Sequence, residues 1–279
     1  MLIRYGYELE FFCPQPVQML CLLDTHSDHA RQVRWQGHFV SDPAIRTELF
    51  RDVYGNDVRR FTAPAGKFRI SRDQVFECDG LPDPVVEDAR EVPLHEVPSE
   101  YLMYLLGSRY CETDKLSNIA WNLFGNVPPG WRRVQAICDF VHQHLTFGYE
   151  HARADRTAYE AYEERLGVCR DFAHLAVTFC RCMNIPTRYA NGFLGDIGIP
   201  PDPAPMDYNA WFEVYLDHKW YIFDARHNMP RIGRITVSRG RDATDIPLAT
   251  SFGPHFLNVF KVWTDEVDES VLQERLQAA

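Results

Sequence analysis

Residues 164–177 read Glu164-Arg-Leu-Gly167-Val-Cys169-Arg-Asp171-Phe-Ala-His174-Leu-Ala-Val177. A glycine just ahead of a cysteine, followed by apolar residues at helical spacing, predicts a turn and then a helix from about Cys169 to Met183. A cysteine in the first turn of a helix faces unpaired backbone N–H groups and the positive end of the helix dipole. Both favour thiolate over thiol. That is how a weak nucleophile is activated at neutral pH. The competing reading of the same residue is a packed cysteine that opens a core helix.

Downstream of this helix, three strands are expected over residues 187–193, 210–216 and 220–224. The last two are joined by Asp217-His218, a two-residue hairpin loop. That loop sets Trp211 opposite Asp224 and leaves Asn209 diagonal to Asp224 on the same face. Upstream, Val134, Ile137, Cys138, Val141 and Leu145 form a helical stripe within 130–145, and Thr157 with Glu160 forms a capping box for a short charged helix over 157–166. Ser99 is a candidate N-cap for a helix carrying Tyr101, Leu102, Leu105 and Leu106. The first hundred residues read as short strands divided by turn signals, beginning with the alternation Ile3, Tyr5, Tyr7, Leu9, Phe11. Many short strands at such spacing predict a small sandwich or barrel. Pro82, Pro84, Pro93 and Pro98 mark an extended linker, which places a boundary near residue 95. The expected organisation is a β-rich accessory domain over 1–95 and a second domain over 96–279, an α+β chain in which a cysteine-bearing helix packs on antiparallel sheet.

Composition limits the partners. The 279 residues are 46% hydrophobic and 24% charged, as in an ordinary globular protein. No run approaches the roughly 18 apolar residues of a membrane span, and no apolar leader follows Met1, so a cytoplasmic protein without membrane contact is expected. The net charge of −10 argues against a nucleic-acid partner. Arg226, Arg231, Arg234, Arg239 and Arg241 are read as ion pairs on a loop. The eight cysteines contain no C-x-x-C pair, so reduced and mostly buried thiols are expected, without a zinc site. His142 and His144 diverge on a helix, and His26 and His29 with Asp24 and Asp28 are read as a solvated loop, so no metal is expected. There is no glycine-rich phosphate loop and no cofactor is implied.

Four motifs in order then carry a resemblance: Gly167-Val-Cys169-Arg-Asp-Phe-Ala-His174, Asn184-Ile-Pro-Thr-Arg-Tyr189, Ala210-Trp-Phe-Glu-Val-Tyr215 and Trp220-Tyr-Ile-Phe-Asp224. Together they resemble the bacterial transglutaminase-like family, a branch of the papain-like cysteine hydrolase superfamily. The motifs span about residues 130–265, and the N-terminal strands look like the family's accessory β-domain. The resemblance implies a papain-like core and a triad of cysteine nucleophile, histidine base and orienting aspartate. It implies acyl transfer on amide or ester carbonyls through a thioester, with a peptide or protein as substrate. Carried over residue by residue, Cys169 falls on the nucleophile and Asp224 on the orienting acid.

The family's histidine precedes the Ala-Trp pair, and here that residue is Asn209. An amide cannot take a proton near pH 7, so the triad as written lacks its base. A natural loss of catalysis, a recent or deliberate substitution, and a relocated histidine compete as explanations. Retention of Cys169 and Asp224 favours the second. His174, His218 and His227 are the candidates for a relocated base, and each reads more simply as a surface or structural histidine. The expected protein is therefore a cysteine protease- or amidase-like hydrolase impaired at its base, with a non-catalytic peptide- or protein-binding role as the alternative.

Overall fold

The computed structural model describes residues 1–277. Strands β1 (Leu2–Cys13), β2 (Val17–Cys21), β3 (Val33–Gln36), β4 (Val40–Asp42), β5 (Thr47–Arg51), β6 (Asp57–Ala63) and β7 (Gly66–Glu77) come first. Helices α1 (Thr113–Phe124) and α2 (Trp131–His144), strand β8 (Thr146–Phe147), helix α3 (Ala158–Glu164), strand β9 (Leu166–Gly167) and helix α4 (Cys169–Cys182) follow. The chain continues through β10 (Thr187–Phe193), β11 (Asn209–Leu216), β12 (Lys219–Phe223), β13 (Ile235–Gly240), β14 (Ala249–Ser251), β15 (Phe256–Val267) and α5 (Glu269–Gln277).

The N-terminal strands form two sheets, β15-β1-β7-β3 with β4 also on β7, and β14-β2-β6-β5. Both bury one face in a shared core that includes Tyr5, Leu9, Phe11, Met19, Phe61 and Phe68. This is a sandwich, as the alternation along β1 predicts. Two of its strands come from far along the chain: β15 pairs antiparallel with β1 over nearly the whole of that strand, and β14 pairs with β2. The division expected at residue 95 therefore separates in sequence what the sheets join in space.

The second layer is an antiparallel sheet in the order β12-β11-β10-β13, and α4 lies against β10 and β11 with α1, α2 and α3 packed around it. Every residue of α4 from Asp171 to Cys182 is buried, so this helix is the core's axis and not a surface element. The β11–β12 turn is the expected hairpin, with Asp217 and His218 both at positive φ and Phe212 paired with Phe223. The capping box of α3 is present, Thr157 Oγ1 accepting from the Glu160 N–H.

Several expectations need correction. Ser99–Leu105 is a 3-10 segment with Pro98 at its cap, and only Tyr104 of its side chains is buried, too little apolar face to hold a full α-helix. Helix α1 was outside the sequence reading, although Leu116, Ala120 and Phe124 carry its buried face at four-residue spacing. The arginine run does form ion pairs, but Arg239 sits on β13, bound to Glu213 and Asp28, not on a loop. The segment around His26 is solvated only in part: Asp28 is exposed, but Asp24 is buried between Arg59 and Arg72, and His26 is buried against Arg239. All eight cysteines are free, and six are buried. No helix among the described residues is long and apolar enough to cross a membrane.

Candidate active site

The turn into α4 is built by Asp171. Its Oδ2 accepts the Val168 N–H at 3.0 Å and an Arg156 N–H at 3.1 Å, which fixes the backbone just before Cys169. Gly167 is required there, because a Cβ on it would lie 2.6 Å from the Asp171 Cβ. Cys169 is thereby delivered at the first turn of α4, half-exposed, with Sγ donating to the Tyr208 carbonyl at 3.9 Å.

The environment of this thiol departs from the sequence expectation. The protein packed around the sulfur pushes its pKa up to about 12; Asp207, Asp224 and Asp171 add to the rise, and a hydrogen bond from the Ala210 backbone opposes it. Loss of water and three carboxylates outweigh the helix dipole. Asp207 is a site residue that the sequence reading missed, and burial raises its own carboxyl. Nothing in the local pattern Met206-Asp207-Tyr208 distinguishes it from a loop aspartate.

Cys169 opens on a cleft of about 750 Å³. Its far wall is apolar and belongs to the sandwich, with Leu9 and Phe11 from β1 and Leu257 and Phe260 from β15. Tyr110, Arg170, Asp207 and Asn209 close the near side. Trp211 and Phe212 are fully buried and do not line the cleft, and Tyr221 packs edge-on against Trp131. They are core residues.

Asn209 reaches the cleft at the start of β11, but its side chain is not joined to Asp224. Its Nδ2 donates to the carbonyls of Leu194 at 3.4 Å and Asp207 at 3.3 Å. Asp224 is committed elsewhere. Its Oδ2 accepts from Arg234 Nη2 at 2.8 Å and lies 2.8 Å from His227 Nδ1, while Oδ1 accepts the N–H groups of Arg226 and His227, each at 3.0 Å. Burial alone would raise this carboxyl, but the Arg234 guanidinium and the His227 hydrogen bond hold it well below the usual carboxylate range. Arg234 is fixed in turn by Asp83 from the proline-rich segment, at 2.7 Å. That pairing joins residues 151 apart, beyond the reach of any local motif.

The other two histidines stand apart. His174 is fully buried, stacked on Tyr110, and its Nε2 accepts the Ala243 N–H at 3.1 Å. His218 sits in the exposed hairpin loop near Glu96. His227, in contrast to its surface reading, is mostly buried against Asp224.

An axial helix with a thiol at its first turn, laid on an antiparallel sheet that carries an acidic residue after its second hairpin strand, defines a transglutaminase-like core. Residues 118–225 match the model of the transglutaminase-like superfamily. Over the whole architecture, the chain is similar to a solved protein from Cytophaga hutchinsonii provisionally named a cysteine protease. That likeness has a TM-score of 0.82 at 25% identity and covers 96% of this chain and 91% of that one. It is also 24% identical over 230 residues to an uncharacterized protein of Mycobacterium leprae, covering 80% of this chain and 81% of that protein. The red sea bream transglutaminase superposes with a TM-score of only 0.35 at 15% identity, covering 79% of this chain and 48% of that one, too distant to support any argument.

Proposed function

We propose that the cleft is the acyl-transfer site of a transglutaminase-like cysteine hydrolase acting on amide or ester carbonyls of a peptide or protein, with turnover weakened by Asn209. The observation that supports it most directly is Cys169 at the first turn of α4, opening on a cleft large enough for an extended segment. In this reading the Cys169 thiolate attacks the carbonyl carbon, and the first-turn N–H groups, which a helix leaves without partners, receive the developing oxyanion. The amine or alcohol leaves carrying the proton that the thiol gave up, a thioester remains on Sγ, and water releases the acid while its proton returns to Sγ. Hydrolysis fits better than cross-linking because water is the only second substrate it needs. A cytoplasmic setting belongs to the same reading, supported by eight cysteines that form no disulfide.

The weakness has two physical sources. The thiol is held protonated, and the residue where the family places its base is an amide. These same two facts favour the second reading, a cleft that binds peptide without turning it over. The test is to assay Asn209→His, with Cys169→Ala in the same background, on fluorogenic peptide amides and esters. Turnover that appears with Asn209→His and vanishes with Cys169→Ala supports the hydrolase; saturable peptide binding without turnover in either form supports the binding role.

A further inference from the structure

We propose that the β1–β15 face of the sandwich is the specificity wall of the Cys169 cleft, and that it takes a bulky apolar side chain, aromatic or leucine-like, beside the carbonyl offered to the thiol. The proposal rests on the reading of Cys169 as an acyl-transfer nucleophile and adds to it the class of substrate. One residue ties the wall to the sulfur. The Tyr208 carbonyl accepts from Cys169 Sγ at 3.9 Å, and the Tyr208 ring packs against Phe260 of β15 with 6.3 Å between ring centroids. The length of a single residue thus separates the thiol from the wall.

Backbone register builds the wall. Leu9 pairs with Phe260 and Phe11 with Leu257, and the register shifts between Glu10 and Phe11, which leaves Asn258 without a partner on β1. Residues three apart on a regular strand point to opposite faces. With Asn258 bulged out, Leu257 and Phe260 join Leu9 and Phe11 on the face that lines the cleft. Leu257 is 49% exposed there, so the fold itself leaves half of this leucine uncovered.

Charge argues the same way. The arginines that line the cleft, Arg153 and Arg170, are both committed. Arg153 lies 3.0, 2.7 and 2.8 Å from Asp155, Glu160 and Glu164. Arg170 donates to Asp171 at 3.2 Å and to the Ala154 carbonyl at 3.1 Å. A carboxylate on the substrate would meet no free guanidinium here and would share the cleft with Asp207. His255 is the polar side chain of the far wall among the described residues, and its Nδ1 is turned to Ser251 Oγ at 2.7 Å while its ring packs on Phe11. What the wall offers a ligand is carbon surface. Moving an aromatic or leucine side chain from water onto such a surface favours it over glycine by about 10- to 100-fold.

The experiment uses Cys169 as its own reporter in the full chain. The chloromethyl ketones of N-acetyl-phenylalanine, -leucine, -glycine, -glutamate and -lysine are compared at pH 9, each rate being divided by that of the same reagent with glutathione. Mass spectrometry of the Cys169 peptide reads the labelling. The phenylalanine and leucine reagents are expected to label about 10- to 100-fold faster than the glycine reagent, and the glutamate and lysine reagents no faster than glycine. Leu257→Asp should cut the phenylalanine-to-glycine ratio below about threefold. Leu257→Lys should speed the glutamate reagent about two- to fivefold over the native chain, a gain that a misfolded cleft cannot give. Phenylalanine and glycine rates within about threefold of each other overturn the proposal, as does a faster glutamate or lysine reagent in the native chain. So does a phenylalanine preference that survives Leu257→Asp. The reading of Cys169 is tested separately with the p-nitrophenyl esters of N-acetyl-phenylalanine and N-acetyl-glycine in Asn209→His, counting only the release removed by Cys169→Ala. Apolar preference in labelling without Cys169-dependent ester turnover supports the wall and overturns acyl transfer. Cys169-dependent turnover without the preference does the reverse, and the absence of both overturns both.

Discussion

Replacing Asn209 by histidine should change the chemistry of one sulfur by orders of magnitude. With its thiol pushed up to about 12, Cys169 is ionised to only about one part in 10⁵ at pH 7, against about 3% for an ordinary cysteine near 8.5. If only thiolate reacts, labelling of native Cys169 by iodoacetamide should run roughly 3,000-fold below a free thiol, and should climb about tenfold per pH unit beyond pH 9. A cation within about 4–6 Å lowers such a group by roughly 1–3 pKa units, so Asn209→His should speed labelling at pH 7 by about 10- to 1,000-fold. Mass spectrometry of the Cys169 peptide reads the rate, and Cys138 and Cys180, fully buried thiols also raised by burial, serve as internal references. Native labelling within about tenfold of a free thiol at pH 7 would refute the electrostatic account, because burial and Asp207 would then not be holding the proton on.

Further expectations concern the frame around the site. Arg234→Met strips a buried cation from Asp224 and Asp83 and should cost about 3–5 kcal/mol in urea unfolding; a loss below about 1 kcal/mol would show that the pair is not needed. Gly167→Ala drives a methyl into Asp171 and should cost about 1–3 kcal/mol while changing Cys169 labelling, because the same contact sets the turn; unaltered labelling contradicts that link. Burial lowers the pKa of His174, so the unfolded chain binds a proton that the folded one refuses. Its stability contribution is present above about pH 6.5 and is lost at up to about 1.4 kcal/mol per unit as pH falls below that, and His174→Gln should flatten this slope in denaturant titrations. Thr157→Ala should cost about 1 kcal/mol through its cap, measured by thermal unfolding.

The fold was legible where one pattern dictated one element. The turn before Cys169, the Thr157–Glu160 cap and the Asp217-His218 loop are local signals, and each lies where its residues place it. The site was legible only in part. Cys169 and Asn209 line one cleft as the motifs suggest, but the partner of Asp224 depends on a ring three residues away and on Arg234. Hydrogen-bond choice among several candidates within reach is settled by packing, which no spacing rule records. The thiol's protonation was misread for the same reason. A helix dipole is visible in sequence, whereas Asp207 becomes a neighbour only after β10 and β11 have aligned.

The return of β15 to β1 gives the cleft a timetable. During synthesis the chain emerges from its N-terminus, and domains tend to fold as they appear. The helix that bears Cys169 and the strands that flank it are complete by residue 240, yet Leu257 and Phe260 on the opposite wall come later. A nascent chain halted between those points would carry its thiol facing an open side. Enclosure of the Cys169 thiol is thus among the last events in making the molecule, and a chain shortened before Phe256 would hold that thiol without the β15 part of its cleft wall.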